Sequence, residues 1–253
     1  VKSHATLRLK LLIAYDGRSF RGWQSQAGGD TVQDRLEQAF MRVCGHRIVV
    51  HGSGRTDAGV HALGQVAHVD VPRDFIPPAK WQAALHANLP HEIRVLKVSR
   101  AAADFHARFD ASGKTYVYRI WNGPFLHPME IGRAWHVPGA LDLAILRACI
   151  RKLTGTHDFA GFAANRTSGS PSDDTIRTIR EIHLARRGAL LTLRFTGDGF
   201  LYKMVRLITG TLIRCALHRA KPPFIDELLA GKGNLKTHFQ APAEGLYLTR
   251  VFY

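Results

Sequence analysis

A chain of 253 residues with 45% apolar and 22% charged side chains can bury a large core, which excludes a mostly disordered protein. Its 35 Lys and Arg against 20 Asp and Glu leave a formal charge of +15 and an isoelectric point near 10.3, a balance that favours a polyanionic partner, nucleic acid first. An anionic membrane is the other such partner, but the sequence has no run of about 18 apolar residues and no basic amphipathic anchor.

The stretch Val1 to Tyr15 alternates Arg and Lys with Leu, unlike the unbroken apolar segment of a signal peptide, so a cytoplasmic protein is expected. Val1 stands where an initiator Met would, which suggests a trimmed chain. Within that stretch Leu7, Leu9, Leu11, Ile13 and Tyr15 repeat with period two, as in a strand with one buried face. Thr31 and Asp34 then form a capping-box pattern ahead of Val32, Leu36, Phe40 and Val43, which predicts a helix. Ile48 to Val50 and Gln65 to Val71 read as strands, Pro77 and Pro78 lead into a helical segment around Trp81 to Leu85, and Ile93 to Val98 reads as another strand.

A similar order returns after the irregular stretch Arg100 to Gly113. Lys114 to Trp121 is strand-like, and Leu143, Leu146, Ile150 and Leu153 make a helix stripe. Ile179 to Leu184 and Leu190 to Phe195 are expected strands, followed by a helix over Lys203 to Leu217 and a last strand over Leu246 to Val251. The fold class expected is α/β (α+β): two RRM-like split-βαβ lobes, residues 1–105 and 106–253, with antiparallel sheets joined around a central cleft. Ala163 to Thr175, rich in Asn, Ser, Gly and Pro, reads as a mobile loop in which Arg166 either touches RNA or is a solvated charge.

Cys44, Cys149 and Cys215 are odd in number and far apart, which suggests small core residues and neither disulfides nor a metal knuckle. The 14 His show no HExxH and no pair spaced for one helix face, so no metal, zinc in particular, is expected. The stretch Gly52-Ser53-Gly54-Arg55-Thr56-Asp57-Ala58-Gly59-Val60-His61-Ala62 is the most informative. Its glycines let Asp57 sit on a tight exposed turn, although on spacing alone such a turn is more often only a turn. No lysine follows at phosphate-loop spacing, which disfavours nucleoside triphosphate chemistry.

The run Gly54 to Ala62, followed by Gly64-Gln65-Val66, resembles the signature of the tRNA pseudouridine synthase A family. Tyr15-Asp16-Gly17, Phe20 to Gln24, Thr31-Val32-Gln33, Phe105 to Phe109, Met204-Val205-Arg206 and Ala243 to Leu248 resemble further family blocks, in family order. The resemblance implies a cofactor-free isomerase with Asp57 as its catalytic carboxylate, Arg206 as the arginine paired with it and Tyr116 as the tyrosine stacked on the target base. It implies that Arg55 contacts RNA and helps hold the target nucleotide out of its stack; Arg108, in the Phe-His-Ala-Arg block, lines the cleft or braces the lobe junction. From the residues alone, Tyr116, alternating with Tyr118 on one strand face, reads first as a cross-strand core aromatic, and Arg55 reads as a surface ion-pair member. A cation at the start of a helix opposes its dipole, which favours a functional use of Arg206.

The family acts on uridines at positions 38 to 40 of the tRNA anticodon arm and works as a homodimer, so tRNA and a second copy are the partners implied, with no membrane. The competing class is a non-catalytic RNA-binding module, since a basic surface of this topology explains charge and fold equally well. A base methyltransferase is disfavoured by the missing glycine-rich cofactor loop.

Overall fold

Alternation of apolar and polar side chains along Thr6–Tyr15 produces β1, with Leu9, Leu11 and Ile13 fully buried. In a computed structural model, residues 6–72, 75–164, 174–231 and 235–253 are described. Arg166 and most of the loop around it lie outside them. The chain divides into two units, Val1–Ser112 with Tyr247–Tyr253, and Gly113–Leu246. Among the described residues there are ten strands and five α-helices, a mixed α/β fold, and no helix is long and apolar enough to cross a membrane.

The first unit contains β1, α1 (Val32–Cys44), β2 (His51–Gly52), β3 (His61–Pro72), α2 (Trp81–His86) and β4 (Ile93–Arg100). β1 runs antiparallel to β3, with Leu9 opposite Val69, and to β4, with Leu11 opposite Val98. The expected capping box opens α1: Thr31 accepts from the Asp34 N–H and Asp34 reaches back to the Thr31 N–H. Gly45, at φ 74°, closes it in the left-handed conformation that glycine adopts without steric cost. Phe40 of α1 meets Trp81 of α2 at 5.6 Å between ring centroids.

One expected strand is absent. Ile48 and Val50 are buried on alternate positions, which mimics a strand pattern, but sheet pairing begins only at His51. The Val50 N–H donates to Glu37 Oε1 and its carbonyl accepts from Gln33 Nε2, so side chains of α1 satisfy this backbone where a partner strand would.

The second unit contains β5 (Gly113–Trp121), β6 (Trp135–His136), α3 (Leu143–Leu153), β7 (Gly155–Asp158), β8 (Ile176–Arg187), β9 (Leu190–Gly197), α4 (Met204–Ala216) and α5 (Pro223–Leu229). Its sheet runs β5-β9-β8-β7, all antiparallel, with Tyr118 opposite Leu193 and Ile182 opposite Phe195. Two-residue β6 adds to β5 in parallel. The helix α4 is buried on nearly every face, as an apolar helix in a core should be. The final strand, β10 (Leu246–Phe252), pairs in parallel with β3 through Tyr247 opposite His61 and so belongs, from Tyr247 onward, to the first unit. The expected division at 105/106 differs from this partition in two ways: the break falls between Ser112 and Gly113, and the last strand leaves the second half of the chain. Cys149 and Cys215 are buried as expected, and Cys44, at the end of α1, is half-exposed.

Candidate active site

The Asp57 loop connects β2 to β3, and its backbone is pinned on several sides. The Ser53 N–H donates to the Val66 carbonyl at 2.8 Å, Ser53 Oγ donates to Gln65 Oε1 at 2.7 Å, and Gln65 Nε2 donates to the Gly54 carbonyl at 3.0 Å. The Trp23 N–H donates to the Thr56 carbonyl at 3.0 Å, and the Thr56 hydroxyl shares a 2.8 Å hydrogen bond with the Tyr15 hydroxyl. Burial pushes the Tyr15 phenol up to about 12, so it stays protonated across the neutral range.

Close backbone approach explains two glycines of the neighbouring segments. A Cβ on Gly17 would lie 2.1 Å from the Val60 carbonyl oxygen, and one on Gly22 would lie 2.6 Å from the Thr56 carbonyl oxygen. The Tyr15-Asp16-Gly17 and Phe20-to-Gln24 blocks are therefore the walls against which the loop is built. Behind it, the Gly17 N–H donates to His61 Nδ1 at 3.1 Å and the His61 ring stacks on Tyr247 at 4.5 Å. Held this way, Thr56 points inward and is buried, Asp57 is half-buried, and Arg55 is exposed. Asp57 and Arg55 thus share one turn of the first unit. Arg108 lies in the same unit on the segment after β4, exposed, its guanidinium carbon 5.6 Å from the Phe109 ring centroid.

Tyr116 and Arg206 belong to the second unit. Tyr116, 8% exposed, stands on β5 opposite Phe195 and meets Phe200 edge-on at 5.2 Å. Arg206 is the third residue of α4, also 8% exposed, and its Nε donates to the Ala241 carbonyl at 2.9 Å while its own carbonyl accepts from the Ala241 N–H at 3.1 Å. This double clasp fixes the guanidinium to the segment 237–243. The same segment presses on α4 so closely that a Cβ on Gly210 would lie 1.7 Å from the Phe239 carbonyl oxygen. Tyr118 donates to the Pro242 carbonyl at 2.7 Å; burial holds its phenol well above the ordinary range, opposed by the nearby Arg206 charge.

Tyr15, Trp23 and Gln65 fall inside family blocks, but spacing gives them no role of their own, and the Ala241 clasp lies outside every block. Tyr118 is legible only as a core aromatic.

The family model described as tRNA pseudouridine synthase matches residues 11–110 and 149–253. A protein of Akkermansia muciniphila with the name tRNA pseudouridine synthase A is 47% identical over 251 residues, covering 97% of this chain and 95% of its own. Proteins of the same name from Geobacillus kaustophilus and Bacillus licheniformis are each 43% identical, covering 98% of this chain and 95% and 99% of their own.

Proposed function

The chain belongs to the tRNA pseudouridine synthase family, and from that premise we propose that it isomerises uridine to pseudouridine in tRNA with Asp57 as the catalytic carboxylate. The bond from C1′ to N1 breaks, the uracil turns, and C1′ rejoins at C5. Atoms and electrons balance within the nucleotide, so no redox partner, hydrolytic water or cofactor is called for. Asp57 acts either by attacking the sugar or base or by removing a sugar proton to give a glycal. The observation that carries the proposal is the loop itself: a half-buried carboxylate on a turn held by hydrogen bonds at Ser53, Gly54, Thr56, Gly59 and Val60.

A carboxylate shielded from water by a bound base needs a cation to remain ionised. We assign that cation to Arg206, supported by its burial and its fixed orientation on Ala241. Tyr116 is assigned to stack on the target base, and Arg55 and Arg108 to RNA, Arg55 helping to hold the nucleotide extruded at a cost of about a few kcal/mol. The substrate site proposed is the anticodon arm, at positions 38 to 40, and the enzyme is proposed to act in the cytoplasm as a homodimer. Light scattering of the purified protein checks the last point, with a monomer mass overturning it.

The decisive assay incubates an unmodified tRNA transcript with the protein alone and maps pseudouridine along it. Asp57→Asn is expected to bind the transcript as wild type does and to lose turnover by about a thousandfold or more. Retained turnover removes Asp57 from the chemistry, and a wild-type protein that binds without converting uridine is the RNA-binding module instead. Tyr116→Phe keeps the ring, so its RNA affinity should stay within about threefold of wild type; a larger loss makes the tyrosine a packing residue.

A further inference from the structure

Three imidazoles gather in the first unit: His51 on β2, His68 on β3 and His106 after β4, with one ring nitrogen of each within 4.8 Å of the others. His51 stands opposite His68 in the β2–β3 register and stacks on it at 4.8 Å, while His106 meets His68 edge-on at 4.7 Å. Such a trio looks like a metal ligand set, but its hydrogen bonds argue otherwise. The Ala107 N–H donates to His68 Nδ1 at 3.1 Å, and the Arg108 and Phe109 N–H groups donate to His106 Nδ1 at 3.1 and 3.2 Å. A neutral imidazole whose Nδ1 accepts carries its proton on Nε2. The second nitrogens of His68 and His106 are therefore donors without a lone pair to offer a metal.

Both rings are neutral near pH 7. Burial, followed by repulsion from His51, depresses His68 to about 4 and lowers His106 as well. Three rings with centroids 4.7, 4.8 and 6.0 Å apart can direct N–H donors to different oxygens of one oxyanion, at about 2.8 Å per hydrogen bond. His68 is 3% exposed, and among the described residues nothing accepts a hydrogen bond from its Nε2. The surrounding charge is mixed. Arg8 and Arg108 bear on these rings from the positive side, and Asp70, which is bound to Arg8, and Asp110 from the negative side.

We propose that His51, His68 and His106 form an oxyanion patch that receives a backbone phosphodiester of the RNA substrate. The proposal rests on the chain acting on tRNA, and it adds a contact to none of whose three histidines the assignments above give a role.

The test uses the full chain labelled with ¹⁵N-histidine. Long-range ¹H–¹⁵N spectra should show His68 and His106 as Nε2–H tautomers, and both rings with His51 should shift when the dinucleotide UpU is added. Inorganic phosphate serves as the second arm: shifts with phosphate alone mean an adventitious ion only and overturn the phosphodiester assignment. Unmoved rings in both arms overturn it outright, as does zinc binding with a switch to Nδ1–H. His106→Asn keeps an oxygen to accept from the Arg108 and Phe109 N–H groups while removing the Nε2 donor. It should raise KM for tRNA about two- to tenfold, more than it changes kcat; an unchanged KM counts against the patch. The spectra need no turnover, so ring shifts in a protein that makes no pseudouridine would sink the proposed function and leave the patch standing.

Discussion

Thr56 and Asp57 are adjacent, yet one side chain is buried against Tyr15 and the other is half-exposed. The difference comes from uncharged neighbours: the Trp23 N–H, the Gln65 amide, and the bare backbones of Gly17 and Gly22. The geometry of this turn is thus set by the uncharged groups packed around it. The histidines offer a different single-residue consequence. His68 titrates near pH 4 when folded and near 6.5 when unfolded, so the unfolded chain binds more protons between those values. Stability should therefore be full above about pH 6.5 and fall on acidification towards pH 4. Melting temperatures across that window should drop less for His68→Gln than for wild type; parallel curves would show that His68 is not responsible.

Among the elements, α4 is the one most constrained by a partner. Alanine in place of Gly210 should raise helix propensity by about 1 kcal/mol, but its Cβ would strike the Phe239 carbonyl, backbone that cannot swing aside. Overpacking of this kind costs about 1–3 kcal/mol or more. Gly210→Ala is accordingly expected to lower the melting temperature by several degrees and, by shifting the segment that holds Arg206, to reduce turnover beyond the loss of folded protein. A raised melting temperature would show that the segment yields. The elements legible in the sequence are those whose determinants are local: β1 by period two, α1 by its capping box, α4 by its apolar stripe. The exceptions have nonlocal causes. Ile48 to Val50 imitates a strand because α1 side chains occupy its backbone, and α5, β6 and β7 are too short for any periodicity to register. The candidate site divides likewise. Asp57, Arg206 and Tyr116 are found through resemblance to family blocks, whereas the histidine trio is invisible because strand register, not spacing, brings 51 beside 68.

For the whole molecule, a charge of +15 on a chain that acts on RNA implies that much of the affinity comes from displaced counterions. Raising salt from 50 to 200 mM should weaken tRNA binding by about tenfold or more, even if only about two phosphates are neutralised; a flat response would remove the polyanion as principal partner. Charge, however, says nothing about how the chain is threaded. Tyr247–Tyr253 returns to the first unit after the entire second unit has intervened. There the Tyr253 hydroxyl donates to the Ala107 carbonyl at 2.7 Å and its ring lies 3.5 Å from the Lys10 ammonium. A ribosome delivers that strand only after Gly113–Leu246 has been made, so the nascent first unit must wait with one flank of β3 lacking its native neighbour, an invitation to wrong pairings for as long as translation lasts.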